Sequence, residues 1–197
     1  KRRIGFQEGP GIMAVDFRDA GVPLLRISCL RGRIASLDGC NFLDPEMVRK
    51  RWSHFAVQPG DYLLSASAST GSVVLATEEV AGAIPYTGIL RLWPVSDRAF
   101  MPFVRLYMGC RPFQDQVDFA KSGVAIEHFG PTHLKRMWIA LPSLDEQRRV
   151  VEFVESELRP FDKAASGAAH EIALLREYRT RLIADVVTGK LDVREAA

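Results

Sequence analysis

The 197-residue sequence has few of the residues that build metal sites and disulfide frameworks, with only 3 cysteines and 4 histidines. Cys29, Cys40 and Cys110 are odd in number, widely spaced and form no Cys-x-x-Cys pair, so we expect reduced thiols. His128 and His133 lie near each other, but no second ligand pair accompanies them, and no metal site is predicted.

Long apolar runs are also missing. Nothing approaches the ~18 consecutive apolar residues that a membrane-spanning helix needs. No apolar segment follows Lys1-Arg2-Arg3, as it would in a signal peptide. With 47% hydrophobic and 25% charged residues, the composition is that of a globular protein of one or two domains. We therefore expect a cytoplasmic protein.

Motifs that mark common catalytic sites are absent. Thr188-Gly189-Lys190-Leu191 lacks the leading glycine and the hydroxyl residue of a phosphate-binding loop. The sequence has no Gly-x-Ser-x-Gly elbow, no His-Glu-x-x-His helix and no Gly-x-Gly-x-x-Gly cofactor turn. The Asn-Pro-Pro-aromatic motif of amino-methyltransferases is absent too. No catalytic residue and no cofactor are predicted for this chain, and a small hydrolase is the weaker hypothesis.

Patterning divides the sequence into two regions. Residues 1–142 contain short apolar runs bounded by Gly, Pro or Asp, at 23–27, 60–64, 72–76 and 89–93, which predict strands. Helices are expected around 44–50 and 99–108. This region predicts an α+β domain with a mixed β-sheet. Residues 143–197 predict a long coiled-coil-type helix with a C-terminal tail.

The second region carries helix signals at both ends. Ser143-Leu144-Asp145-Glu146 is a capping box, and Gly189 suits the left-handed position after a helix. Between them, apolar residues recur at alternating steps of three and four, as in a coiled-coil seam interrupted only by Arg179. The predicted helix-helix interface consists of Val151, Val154, Leu158, Phe161, Ala165, Ala168, Ile172, Leu175, Leu182 and Val186.

One alternative and one irregularity bear on this helix. An amphipathic helix lying on its own domain's core would show the same spacing, although five heptads exceed what covering one small domain requires. Pro160 cannot donate to the carbonyl of Ser156, so a kink or break is expected there.

Charge is distributed unevenly although the net charge is only +2. Residues 1–60 carry +4, residues 61–140 are neutral, and residues 141–197 carry −2. Arginine suits bidentate contact with guanine, and Lys/Arg clusters neutralise DNA phosphates. The predicted DNA-binding residues of this basic front are Arg26, Arg31, Arg33, Lys50 and Arg51. The alternative is an ordinary solvated surface.

Short hydroxyl residues form a second candidate DNA contact. Hydroxyls alternate with alanine before Gly71, so they would share one face and allow close approach to DNA. A tightly packed small-residue strand is the alternative. The predicted contacts are Ser65, Ser67, Ser69, Thr70 and Gly71, with Lys121, Ser122 and Gly123 as a second polar loop.

Several stretches together resemble the specificity subunit of type I restriction-modification systems. The most specific are Leu141-Pro142-Ser143-Leu144-Asp145-Glu146-Gln147, Leu175-Arg176-Glu177-Tyr178-Arg179 and Val187-Thr188-Gly189-Lys190-Leu191-Asp192-Val193-Arg194, which look like the family's helical region. Looser landmarks of a target recognition domain are Gly9-Pro10-Gly11-Ile12, Gly21-Val22-Pro23-Leu24-Leu25-Arg26, Gln58-Pro59-Gly60-Asp61 and Ser69-Thr70-Gly71.

The resemblance implies a target recognition domain at 1–142 and a dimerisation or spacer helix from 143. It implies a non-catalytic subunit that reads a bipartite DNA site and docks methyltransferase subunits, which use S-adenosylmethionine to methylate adenine. A motor-nuclease subunit can join for cleavage. Family members have two recognition domains and two helical regions, so this chain resembles a half-subunit that pairs with a copy of itself, or the carboxy-terminal half of a longer chain.

The competing hypothesis is a coiled-coil assembly protein whose globular domain binds protein rather than DNA.

Overall fold

The computed structural model of the chain describes residues 3–66, 73–121 and 129–191. These residues include eight strands, which are short and lie before residue 95. They are β1 (Ile4–Glu8), β2 (Phe17–Arg18), β3 (Val22–Leu25), β4 (Asn41–Leu43), β5 (Tyr62–Ser65), β6 (Val73–Leu75), β7 (Ile84–Pro85) and β8 (Ile89–Pro94).

The strands form two four-stranded sheets. The first has the order β1-β8-β5-β6, and all its neighbours are antiparallel. The second has the order β2-β4-β3-β7, in which β3 and β7 are parallel and the other pairs antiparallel. The predicted α+β class with a mixed sheet is confirmed, and the four predicted strands correspond to β3, β5, β6 and β8.

The apolar runs reflect a sheet that is covered on both faces. In β5, Leu64 packs into a core cluster with Leu92 of β8. Its neighbour Leu63 points the other way, into a second cluster with Leu25. Because side chains alternate between faces along a strand, burial on both sides requires a continuous apolar run rather than alternation.

Five α-helices occur in the described residues. They are α1 (Pro45–Met47), α2 (Met101–Met108), α3 (Arg111–Lys121), α4 (Pro131–Leu134) and α5 (Leu144–Val187). Asp44 caps the start of α1, since its Oδ1 accepts from the Met47 N–H at 2.9 Å, and the helix continues into a π-helical turn, Val48–Trp52. The expected helices near 44–50 and 99–108 are thus present.

A buried ion pair joins β8 to the turn before β5. Arg91 Nε lies 2.6 Å from Asp61 Oδ2, and Arg91 Nη1 donates to the Ala56 carbonyl at 2.6 Å. Burial raises the pKa of the Asp61 carboxyl, while the Gln58 N–H and the Arg91 guanidinium partly offset that rise. The pair fixes residues 56–61 against the first sheet.

Helix α5 contains 44 residues, which corresponds to a length of about 66 Å. The Ser143 hydroxyl accepts from the Glu146 N–H at 3.3 Å at its start. At its end Gly189 has a φ of +72°, and the Leu191 N–H donates to the Asp185 carbonyl at 3.0 Å. A long helix with these caps was predicted.

Of the kink or break expected at Pro160, the break does not occur, because α5 runs through this residue. Proline removes the one hydrogen bond to the Ser156 carbonyl. Both residues are exposed, so water can satisfy that carbonyl and the helix continues.

The chain divides into two compact units, Lys1–Val151 and Glu152–Ala197. The first two turns of α5 belong to the first unit, where Gln147 is fully buried and Val151 is 5% exposed. None of the three cysteines forms a disulfide.

Candidate nucleic-acid interface

The predicted basic residues Arg31 and Arg33 lie on an exposed loop between two buried residues, Leu30 and Ala35. Gly32 between them has a φ of +88°, which glycine adopts without strain. The loop is fixed to β6, because the Leu75 N–H donates to the Arg33 carbonyl and the Ala35 N–H donates to the Leu75 carbonyl. The arginine side chains thus stand on an anchored backbone.

Lys50 and Arg51 are exposed on the π-helical turn, which buries Val48 and Trp52. The Arg51 guanidinium lies over the Trp52 ring, 5.2 Å from its centroid. Arg49 is paired with Glu46, so its charge is partly neutralised. The positive charges of Lys50 and Arg51 are therefore more available to an anionic partner than that of Arg49.

The two basic segments rest on different parts of the core. The Arg31–Arg33 loop is flanked by members of the cluster that contains Leu63. The π-helical turn packs Trp52 with Leu24 of β3 and Ile84 of β7. Each segment is thus positioned by its own sheet and cluster.

Arg26 differs from these residues because it is half-buried in a pocket of about 440 Å³. Its Nη1 donates to Asn41 Oδ1 at 3.0 Å, and its Cζ lies 4.5 Å from the centroid of the Tyr86 ring. The remaining lining residues are Ile27, Ser28, Gly39 and Thr87. Sequence reasoning identified Arg26 but missed Asn41, Tyr86 and Thr87.

A thiol lies close to this pocket. Burial raises the pKa of Cys40, and the neighbouring Cys29 raises it further. The Cys40 thiol is therefore uncharged at neutral pH and provides no anion near Arg26.

The hydroxyl-rich segment is described only at its start. Ser65 is fully buried in β5, so its side chain is not on the surface. Ser67, Ser69, Thr70 and Gly71 lie outside the described residues, as do Ser122 and Gly123. Lys121 ends α3, and its side chain is likewise not described.

The predicted helix-helix interface is largely exposed in the single chain. Val151 is buried in the first unit, and Val154 and Val186 are half-buried. Exposure reaches 71% at Phe161 and 60% at Leu175. The other exposed members are Leu158, Ala165, Ala168, Ile172 and Leu182.

Large apolar residues outside the predicted interface are exposed on α5 as well. They are Val150, Phe153, Leu174, Tyr178, Ile183 and Val187. The spacing rule missed them because it follows one stripe of the helix, whereas the exposed apolar surface is broader.

The described residues contain no group of three or more His, Cys, Asp or Glu side chains placed to hold a metal ion. Within the same ranges, no helix is both long and apolar enough to span a lipid bilayer.

Comparison by sequence gives no match to a protein-family model or to a curated protein. Comparison by structure gives matches to solved type I restriction-modification proteins. A chain from a study of complex assembly and conformational transition of the type I system is 17% identical over 92% of this chain, with a TM-score of 0.65. The HsdS subunit of Thermoanaerobacter tengcongensis is 19% identical over 80%, with a TM-score of 0.59.

The type I S subunit of M. genitalium is also similar, at 12% identity over 89% of this chain and a TM-score of 0.52. The matched region covers 43%, 36% and 42% of the three solved chains, respectively, so this chain spans less than half the length of each. At these identities the likeness concerns the fold. This chain therefore has the fold found in specificity subunits of type I restriction-modification systems.

Proposed function

We propose that this chain is a DNA-binding specificity subunit that directs a type I adenine methyltransferase, with or without its endonuclease, to a bipartite site. The observation that carries the proposal is the fold shared with S subunits over 80% or more of the chain. The motif from Leu141 to Gln147 and the helix end with Gly189 just after it point to the same family.

The exposed basic residues support DNA as the partner. Arg31, Arg33, Lys50 and Arg51 are all exposed, and cations of this kind release counterions from DNA when they contact phosphates. Net charge alone would not favour DNA, so the local concentration of charge in residues 1–60 is the relevant feature.

The exposed apolar face of α5 supports pairing with another helix. The pairing partner would be a second copy of this chain or the other half of a longer specificity subunit, because the solved S-subunit chains are more than twice as long as the matched region. Pairing two such chains would bring two recognition units onto one DNA, as a bipartite site requires.

Catalysis would reside in partner subunits. We infer that the chain itself is non-catalytic and cytoplasmic, and that methyltransferase subunits dock on it. S-adenosylmethionine, the methyl donor, would be bound by those subunits rather than by this chain. A motor-nuclease subunit would join where cleavage occurs.

Salt dependence of DNA binding tests the proposal. The chain is co-expressed with its methyltransferase subunit, and binding to duplex DNA is measured at several salt concentrations. Replacement of the four exposed cations by glutamine should weaken binding to all sequences and reduce the slope of log affinity against log salt by about one per lost contact. Unchanged affinity and slope would mean that these four residues form an ordinary solvated surface.

Sequencing of methylated sites tests specificity directly. In a strain that carries this gene and its methyltransferase gene, methylated adenines should fall in one bipartite sequence. Replacement of residues 1–142 by the matching region of a relative should change one half-site and leave the gap unchanged. Methylation that does not depend on this gene, or a complex that binds only protein, would contradict the proposed function.

A further inference from the structure

Arg26 is a half-buried cation. Among residues 3–66, 73–121 and 129–191, no carboxylate lies in ion-pair contact with its guanidinium. Partial burial of a charge costs desolvation free energy that other groups must compensate. Here the compensation consists of one amide oxygen and the faces of two aromatic rings.

The contacts hold the guanidinium in place. Asn41, the first residue of β4, accepts from Nη1. Tyr86 follows β7 and lies under the guanidinium, and the Phe17 ring of β2 is 5.7 Å from Cζ. Two strands of the second sheet and the residue that follows a third thus supply the side chains that fix Arg26. An arginine whose plane is already fixed loses less entropy when it binds a ligand.

The rest of the pocket suits an anion. Asn41 contributes an amide, while the Ser28 and Thr87 hydroxyls line the pocket but already donate to the Gly39 and Pro10 carbonyls. The lining residues include no aspartate or glutamate. Arg26 commits one donor to Asn41, whereas a guanidinium has five. A positive charge with unused N–H donors and no carboxylate in the lining matches a phosphate better than it matches an uncharged base edge.

We propose that this pocket binds one phosphate of the DNA backbone, with Arg26 as the charged donor and Asn41 and Tyr86 as positioning residues. The proposal rests on the proposed function, since the phosphate belongs to the DNA that the chain recognises. Such a contact carries no base preference, and it would fix the register of the recognition unit on the duplex.

The test replaces single phosphates of the recognised duplex by uncharged methylphosphonates and measures binding of the complex with its methyltransferase. One contact contributes a salt exponent of about 0.9, so its loss lowers affinity roughly tenfold at 0.1 M salt. We expect one methylphosphonate to weaken the wild type by this factor and to have no further effect on Arg26→Gln. Arg31→Gln is the matched control, because it should bind more weakly yet remain sensitive to the same methylphosphonate.

Asn41→Asp provides a second variant with nearly unchanged shape. It sets a carboxylate where the amide oxygen already accepts from Arg26, and so neutralises the guanidinium without removing it. Its affinity should fall as in Arg26→Gln, and its sensitivity to the methylphosphonate should be lost. In the Arg26→Gln background, Asn41→Asp should add little, whereas a purely structural role of Asn41 would give additive losses.

Outcomes separate this proposal from the proposed function. If the wild-type complex binds its site and no methylphosphonate effect depends on Arg26, the phosphate pocket is refuted and the proposed function stands. If Arg26→Gln changes the base preferred at one position, Arg26 reads a base edge and the phosphate assignment is wrong. If the wild-type complex binds no DNA, the proposed function fails and the pocket assignment fails with it.

Discussion

Gln147 anchors the first turns of α5 in the globular unit. Its side chain is fully buried, and its Oε1 accepts from the Phe100 N–H at 2.9 Å. Its Nε2 donates to the carbonyls of Arg98 at 3.0 Å and Pro142 at 2.8 Å. One amide thus satisfies three backbone groups from two segments that precede the helix. We predict that Gln147→Leu destabilises the unit strongly at little change in volume.

The size of the effect follows from the three groups left without a partner. A buried polar group without a hydrogen bond costs about 1–3 kcal/mol, so the loss should be about 3–6 kcal/mol after some relaxation. Domains of this size have a free energy of unfolding of about 5–15 kcal/mol. At about 2–4 °C per kcal/mol, Tm should fall by at least about 6 °C.

Thermal unfolding followed by circular dichroism measures this change. Gln58→Leu is the control, because Gln58 is exposed and its side chain can be replaced with an effect within about 0.5 kcal/mol. A Gln147→Leu variant that melts within about 2 °C of the control would refute the anchoring role.

Gln147→Glu adds a pH test of the same site. The carboxylate keeps the bond from Phe100 but faces two carbonyl oxygens without a donor. Burial should raise the pKa of this carboxyl in the folded state above its value in the unfolded state. The variant should therefore gain stability as pH falls and lose it as pH rises through the folded-state pKa. A pH profile parallel to that of the wild type would contradict this reasoning.

Three further predictions concern the ion pair and the helix. Asp61→Ala should lower the free energy of unfolding by about 3 kcal/mol because it leaves Arg91 without its carboxylate, and adding Arg91→Met should recover part of that loss. Strictly additive losses in the double-mutant cycle, measured by denaturant unfolding, would contradict the pairing. Light scattering should show that the chain self-associates, and a variant with three exposed apolar residues of α5 changed to aspartate should be monomeric. The three residues are Leu158, Ile172 and Leu175. A monomeric wild type that also forms no complex with another specificity half would count against pairing. A seven-residue insertion near Ala169 should widen the methylated gap by about three base pairs, because it lengthens the helix by about 10 Å; altered bases with an unchanged gap would contradict the division between reading and spacing.

Local signals predicted much of the fold. The strands that are fully covered, such as β5, stand out as apolar runs between glycine, proline and aspartate. The long helix was predicted from its spacing and from the caps at Ser143 and Gly189. These features depend on neighbours within a few residues, so the sequence alone contains them.

Long-range pairing was not accessible in the same way. The two-residue strands β2 and β7 have no periodicity of their own, and β7 is a strand only because β3 lies beside it. The Arg26 pocket joins residues from positions 26, 41 and 86, which approach one another only through the second sheet. Ser65 shows that side-chain polarity alone can mislead. Its hydroxyl group predicted a surface position, but the residue is fully buried because it lies in a central strand.

The exposed apolar face of α5 has a consequence for the life of the chain in a cell. Exposure of this many large apolar side chains on one helix is uncommon on stable monomers and is a liability for aggregation while they are uncovered. A partner that covers it stabilises the folded chain by mass action, by about 2.7 kcal/mol at a free concentration one hundred times its Kd. Chains in excess of their partner would lack this stabilisation and would be more readily removed by proteolysis. The exposed helix face thus ties the abundance of the chain to the abundance of the partner that covers it.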